Sequence, residues 1–344
     1  MFHPRYTITD RLLANIKRVN TLVNQLNNRR FPHVVLVELE KTARALSTYA
    51  STSIEGNPLP LTEVKKILKS KPAHIRDSEK EILNYNQALQ DLNKKIEAEN
   101  VRLSFYLILK IQKQITDGLL PKFESGKLRK KPVVVNDPRT LKVIYLPPDA
   151  KDVKKLIGDL IEFVNSNRNE IDPLILAGIF HKQMVIIHPF MDGNGRTTRL
   201  ATKVLLAEMG LNTFNLFSFE NYYNKNVTKY FQTVGEFGNY YEPVGKIDLT
   251  GWLEYFTEGI IDELLRVQKL LPEVGINPET KLQIYHLRIL EFIRAKGFIS
   301  DRDYAKLVDR AKATRALDFK KLIELGLIER KAKGKSTYYV LKEK

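Results

Sequence analysis

The stretch LILAGIFHKQMVII, residues 174–187, is apolar nearly all the way round a helix. A helix without a polar face must be covered on every side, so this chain has to build its core around that segment. Partners with a single apolar face are present. Val153, Leu156, Ile157, Leu160, Ile161 and Val164 follow the i, i+3, i+4, i+7 spacing, as do Leu36, Leu39, Ala43, Leu46 and Ala50 earlier. A further helix is predicted to start near Asn194 and run through LATKVLLAEM, with Gly210 as its C-terminal stop. The expected fold class is mainly α.

One stretch departs from this pattern. KPVVVNDPRTLKVIYLPP (131–148) holds two β-rich runs, PVVV and KVIYL, around NDPRT, and predicts a β-hairpin. A hairpin beside helices leaves edge backbone groups available to another strand. LPEVGINPET (271–280) reads as a linker. Beyond it, three helical patterns precede the β-rich end LIERKAKGKSTYYVL, which is the order of a winged helix-turn-helix. The expected organisation is an N-terminal helical region (1–100), a helical core with the hairpin (101–270), the linker, and a C-terminal domain (281–344).

Cysteine is absent from the 344 residues, so disulfides and thiolate metal sites are excluded, which fits a cytoplasmic protein. No signal pattern begins the chain and no apolar run approaches the ~20 residues of a bilayer span, so no membrane partner is expected. The formal net charge is +16. From Glu279 onward, 17 Lys+Arg face 9 Asp+Glu, so half of the surplus sits in the last 66 residues. That imbalance suggests a polyanionic partner; the plainer alternative is lysines solvating a small domain.

HPFMDGNGRTTRL, residues 188–200, concentrates chemistry. A helix N-terminus offers unpaired N–H groups and a dipole to an anion. Gly193 and Gly195 let the backbone approach closely. Arg196 and Arg199, three apart, occupy neighbouring positions of one helical face and suit a phosphate chain. Asp192 could hold a hard cation such as Mg²⁺ sharing phosphate oxygens. His188 could take a proton from an attacking hydroxyl near neutral pH. Each feature alone has a bland reading, but their conjunction suits attack on a nucleotide phosphate. The GxxxxGK[ST] and GxGxxG phosphate motifs do not occur.

HPFMDGNGRTTR resembles the Fic signature HPFx[DE]GNGRxxR at every defined position. The resemblance covers about two thirds of the chain, as far as WLEYFTEGI (252–260). It implies a Fic-type helical bundle with a β-hairpin flap, and transfer of AMP from ATP to a Ser, Thr or Tyr hydroxyl of a protein target. It further implies His188 as general base, Asp192 as Mg²⁺ ligand, and Gly193, Asn194 and Gly195 at the α- and β-phosphates. Arg196 would support the phosphates, Arg199 the γ-phosphate, and Phe190 would anchor the loop. The flap, with Val133, Val134, Val135, Ile144 and Tyr145, would dock the target by strand addition. Family members with Lys at the Gly195 position phosphorylate instead, so Gly favours AMP transfer. SFENYYNKNVTKYFQTV (218–234) resembles the segment that closes over base and ribose, with Asn226 and Tyr230 as candidates. His181, two turns before His188, is expected to support the helix.

STSIEGN, residues 51–57, places Ser51 and Glu55 on one helix face ahead of a Gly-Asn-Pro stop. Its plain reading is a helix end with one solvated glutamate. Its spacing also resembles the Fic inhibitory motif [ST]xxxE[GN], which implies an inhibitory helix over about 35–57 whose Glu55 pairs with Arg199. Inhibition within one chain and across a homodimer both remain open, as does removal of AMP by the same glutamate.

In the C-terminal domain, Ala316, Phe319, Leu322 and Ile323 form an apolar stripe, with Lys312, Arg315, Lys320 and Lys321 largely off it. A basic helix beside a KAKGK wing is the footprint of a DNA-binding module. Winged helices also dock proteins, and both readings stay open. The expected function is an autoinhibited protein adenylyltransferase that modifies a target or itself. The rival is a nucleotide-sensing DNA-binding regulator; transfer of another nucleotide or a phosphocholine-type group is a narrower alternative.

Overall fold

In the computed structural model, residues 2–28, 33–70, 72, 74–98, 101–136, 142–211, 213–243, 245–271, 282–325, 327–332 and 334–342 are described. The expected linker lies outside them from residue 272 onward. Two compact units emerge, Met1–Arg29 with Leu39–Leu271, and Arg30–Glu38 with Pro272–Lys344. The N-terminal helices and the core thus share one unit.

That unit opens with α1 (Asp10–Asn27), α2 (His33–Ile54) from its Leu39 onward, α3 (Leu61–Lys69), α4 (Asp77–Glu97) and α5 (Phe105–Ile115). It continues with α6 (Ala150–Ser166), α7 (Pro173–Ile187), α8 (Asn194–Glu208), α9 (Glu220–Lys225), α10 (Val227–Val234) and α11 (Thr250–Leu270). The all-apolar segment is α7, and only Val185 of residues 174–187 escapes full burial. Asp172 caps it by accepting from Leu174 N (2.8 Å), and Pro173 fits the first turn. Around α7 lie α6, α8 and α11, while α1 runs along α11 and α5 along α8. Helix α8 stops where Gly210, at φ +77°, lets Leu211 N return to Leu206 O (3.0 Å). No helix among the described residues is long and apolar enough to cross a membrane.

The hairpin differs from the expectation in two ways. Strand β1 (Val135–Asn136) takes only the last valine of PVVV; Val133 and Val134 precede it unpaired in the sheet. Pro132 has no N–H to give, which limits the ladder on that side. Strand β2 (Val143–Leu146) pairs antiparallel with β1, Val135 opposite Tyr145. Its other edge is covered by β3 (Gly238–Asn239), parallel, with Tyr145 opposite Gly238. The expected two-stranded flap is therefore part of a three-stranded sheet of order β1-β2-β3, with β1 at one edge. Residues 137–141 of its turn lie outside the described residues.

The second unit contains α12 (Ile284–Lys296), α13 (Asp301–Leu307), α14 (Lys312–Glu324) and the antiparallel strands β4 (Ile328–Lys331) and β5 (Tyr338–Leu341). Ile299 exchanges both backbone hydrogen bonds with Tyr339, at 3.0 and 2.8 Å. Its core joins Ile289, Leu290, Ile293, Tyr304, Phe319 and Leu322. The stripe on α14 is rotated from the expected one: Phe319 and Leu322 are buried, Ala316 and Ile323 exposed. Asp318 is drawn inward instead, accepting from Tyr304 Oη (2.8 Å) and pairing with Arg310 and His286. Arg315, expected on a basic outer face, is held bidentately by Asp301 at 2.8 and 2.9 Å. The outward face combines Lys312 and Lys320 with Leu317, which is 63% exposed.

Candidate active site

His188 terminates α7. Its N–H donates to Met184 O (3.1 Å), and its backbone turns left-handed at φ 49°, ψ 63°. A side chain in that conformation costs about 1–2 kcal/mol, so neighbouring contacts must hold it there. Two residues on, buried Phe190 anchors the loop. The Asn194 amide clamps it, Oδ1 accepting from Phe190 N (2.8 Å) and Nδ2 donating to Phe190 O (2.9 Å). Both ends of that side chain are committed, so Asn194 shapes the loop and phosphate contact there falls to backbone. Gly193, at φ +79°, lies so close to Ile115 and Thr116 that a β-carbon would stand 3.1 Å from each. Buried Gln112 donates to Asp192 O (3.1 Å) and completes the loop.

Both arginines project from the start of α8 and both are buried. Arg199 donates from Nε to Ser51 Oγ (2.8 Å), and from Nη2 to Ser51 O (2.8 Å) and Glu55 Oε1 (2.7 Å). Burial opposes its charge, but the Glu55 carboxylate together with the Tyr230 and Tyr85 hydroxyls holds its pKa above the usual value. Arg196 forks onto both oxygens of Asp192 (3.0 and 2.9 Å) and reaches Glu81 Oε1 at 2.5 Å. Burial pushes the Glu81 carboxyl up, against the pull of Arg196. Arg199 Nη1 and Arg196 Nε are buried without a hydrogen-bond partner among the described residues. Unpaired buried donors of this kind are what a phosphate group would satisfy.

Glu55 ends α2 over the mouth of α8. A β-carbon at Gly195 would stand 2.1 Å from Glu55 Oε1 and 3.0 Å from Arg199 Nη1. A second rung holds α2 to α8: buried Glu220 accepts from Ser47 Oγ (2.7 Å) and Tyr85 Oη (3.0 Å) and pairs with Lys203 (3.2 Å). The His188 ring places Nδ1 3.4 Å from Val185 O. A carbonyl only accepts, so Nδ1 carries the proton and Nε2 the basic lone pair. Burial lowers its pKa below the ordinary histidine value, so the ring is neutral at pH 7. The N-terminus of α8, two buried arginines and a neutral imidazole are thus brought together by the loop from α7 to α8.

Residues 102–206 match the model of the Fic/DOC family. This chain carries a Fic/DOC family domain. It is 29% identical over 217 residues to the protein adenylyltransferase Fic of Aedes aegypti, covering 58% of this chain and 42% of that protein. The Drosophila melanogaster protein of the same name is 28% identical over the same length. The chain thus spans less than half the length of these curated relatives. Among solved structures, a Fic family protein from Desulfovibrio desulfuricans G20 shares the fold with a TM-score of 0.66 at 20% identity, covering 100% of this chain and 99% of that one. Fic-1 from C. elegans matches with a TM-score of 0.57 at 22% identity, over 75% and 72%.

The outlying candidates fall differently from expectation. Tyr230 is not at a nucleotide-facing surface: it is buried, stacked on Tyr223, with its hydroxyl 2.9 Å from His181 Nε2. His181, whose Nδ1 lies 3.0 Å from Thr202 Oγ1, supports the helix pair as expected. Asn226 is exposed and caps α10, its Oδ1 accepting from Lys229 N (3.0 Å). Tyr145 cannot dock a target either, because it points inward and donates to Ile186 O (3.2 Å). Val134, 47% exposed, is open to solvent, whereas Val135 and Ile144 pack against the buried cluster of Tyr145, Ile186 and Tyr240.

Three contributors were not singled out from the sequence: Gln112, Glu81 and Arg129. Arg129 sits in KLRKK, which reads as solvated charge, yet it is buried. Its Nε donates to His188 O at 2.8 Å. Glu81 looks like any exposed glutamate of an amphipathic helix. Only a partner elsewhere in the chain distinguishes such residues.

Proposed function

We propose that this protein is an autoinhibited protein adenylyltransferase. The observation that carries the reading is the Glu55 carboxylate resting on Gly195 and Arg199, an anion already seated where a triphosphate's terminal phosphate would bind. The names of its relatives support AMP as the transferred group. In the reaction, the target hydroxyl oxygen attacks the α-phosphorus of ATP while His188 Nε2 takes the hydroxyl proton. The bond between that phosphorus and the oxygen bridging to the β-phosphate breaks, and pyrophosphate leaves. The N–H groups at the start of α8 and the unpaired arginine nitrogens stabilise the charge on the phosphates.

Asp192, with its side chain 51% exposed beside the loop, fits a Mg²⁺ ion held mainly by phosphate oxygens. No group of three acidic or histidine residues among the described ones could hold a metal alone. When bound, Mg²⁺ would neutralise phosphate charge; Asp192 would exchange Arg196 for the ion. We read the second unit as a winged helix, supported by its three helices, the Ile299 bridge and the β4–β5 hairpin.

The brake follows from the same contacts. A charge-assisted, partly buried pair contributes about 1.5–3 kcal/mol, roughly ten- to a hundredfold against nucleotide. The test is intact mass spectrometry of Glu55→Gly after incubation with Mg²⁺ and each nucleoside triphosphate. The expected result is an added AMP, absent from the Glu55→Gly, His188→Ala protein. Saturable ATP binding without any mass gain would point to a nucleotide sensor instead.

A further inference from the structure

All four acceptors of the Arg129 side chain are backbone carbonyls. Two belong to the end of α7: His188 O, 2.8 Å from Nε, and Ile187 O, 3.4 Å from Nη2. The other two are the roots of the flap: Lys131 O, 3.2 Å from Nη1, and Pro148 O, bonded to Nη2. The Arg129 N–H adds Pro189 O at 2.9 Å. One planar fork therefore ties the left-handed turn that aims His188 to both ends of the strand pair that would carry a target. A lysine ammonium could not span these points, because its donors radiate from a single atom.

We propose that Arg129 is a positioning residue that sets His188 and strand β1 in one frame, so that a hydroxyl on a segment paired to β1 meets the His188 ring. This rests on the reading of His188 as the base. Registration of this kind acts on the chemical step and the target, not on the donor, whose contacts lie on α8. The fork also has an electrostatic consequence. Burial lowers the His188 pKa first; Arg129 lowers it further, while Glu55 and Asp192 raise it.

The test compares Arg129→Lys and Arg129→Met in the Glu55→Gly protein. In Arg129→Lys, kcat for self-modification should fall roughly ten- to a hundredfold, the scale of a small misplacement of reacting groups. KM for ATP should stay within about twofold, which separates this from general damage. NMR of histidine-labelled protein supplies a readout independent of transfer: the His188 pKa should rise in Arg129→Met and stay in Arg129→Lys. Amide exchange of Val143–Leu146 should quicken in both. A kcat in Arg129→Lys equal to that of the Glu55→Gly parent, or kcat and ATP affinity falling together in step with lost thermal stability, overturns the proposal. An inactive Glu55→Gly parent would refute the transferase reading instead, and the NMR arm would still decide the role of Arg129: an unmoved His188 pKa in Arg129→Met overturns it.

Discussion

The carboxylate of Glu55 occupies the space directly above Gly195. A methyl group at that glycine would stand 2.1 Å from Glu55 Oε1, so the added side chain and the Glu55 carboxylate exclude each other. On the proposed reading, Gly195 is therefore required by the brake as well as by close approach of a phosphate. Gly195→Ala should displace Glu55 and strand part of the Arg199 charge, lowering stability by about 1–3 kcal/mol. In the Glu55→Gly background the same substitution should cost much less. Urea denaturation of the four proteins of this cycle measures the coupling. Equal costs in both backgrounds would show that the two residues do not interact.

His188 gives the activity a pH dependence with a defined sign. Its folded-state pKa lies below the ordinary 6.5 because burial penalises the charged ring. The base is competent when neutral, so transfer by Glu55→Gly should be flat at neutral pH and fall only below that ordinary value. His181 is depressed in the same direction, also through burial. Both rings bind protons more readily once unfolded, so their contribution to stability is complete above 6.5 and is lost as pH falls through their folded pKa values. A kcat/KM profile with its acid limb above 6.5 would contradict this environment for His188.

Glu81 links the two motifs. It accepts from Asn57 Nδ2 (2.6 Å), at the end of the STSIEGN stretch, and pairs with Arg196 on its other oxygen. Glu81→Gln leaves Asp192 as the charged partner of Arg196 and makes it a poorer partner for Mg²⁺. Calorimetry in the Glu55→Gly background should show Mg²⁺–ATP binding weakened by roughly tenfold, about 1.4 kcal/mol. Unchanged affinity would make Glu81 a bystander.

Tyr145 fastens the flap from beneath. Tyr145→Phe removes its hydrogen bond to Ile186 O and should lower stability by about 1 kcal/mol. Because the ring stays, ATP affinity should not change, while modification of a protein substrate should slow. Reduced ATP affinity in this variant would show that the flap also shapes the donor site.

Local pattern sufficed for much of this molecule. Apolar residues on every face made 174–187 the central helix, since nothing else can keep such a segment out of water. The glycines bracketing Asn194 announced a helix start with unpaired N–H groups, and two β-rich runs around NDPRT announced the flap. Those are properties of neighbours in the chain, where periodicity and backbone freedom act. The chain path decided the rest. Ser51 meets Arg199 across 148 positions and Arg129 meets His188 across 59. Whether an arginine is solvated, as KLRKK suggests, or clamps the turn at His188 depends on which carbonyls packing brings within hydrogen-bond reach of it. Tyr230 shows the converse: its local setting suited a ligand contact, but folding enclosed it among aromatic rings and gave its hydroxyl to His181. Burial and long-range pairing are set by the packed helices together, and no short window of sequence contains them.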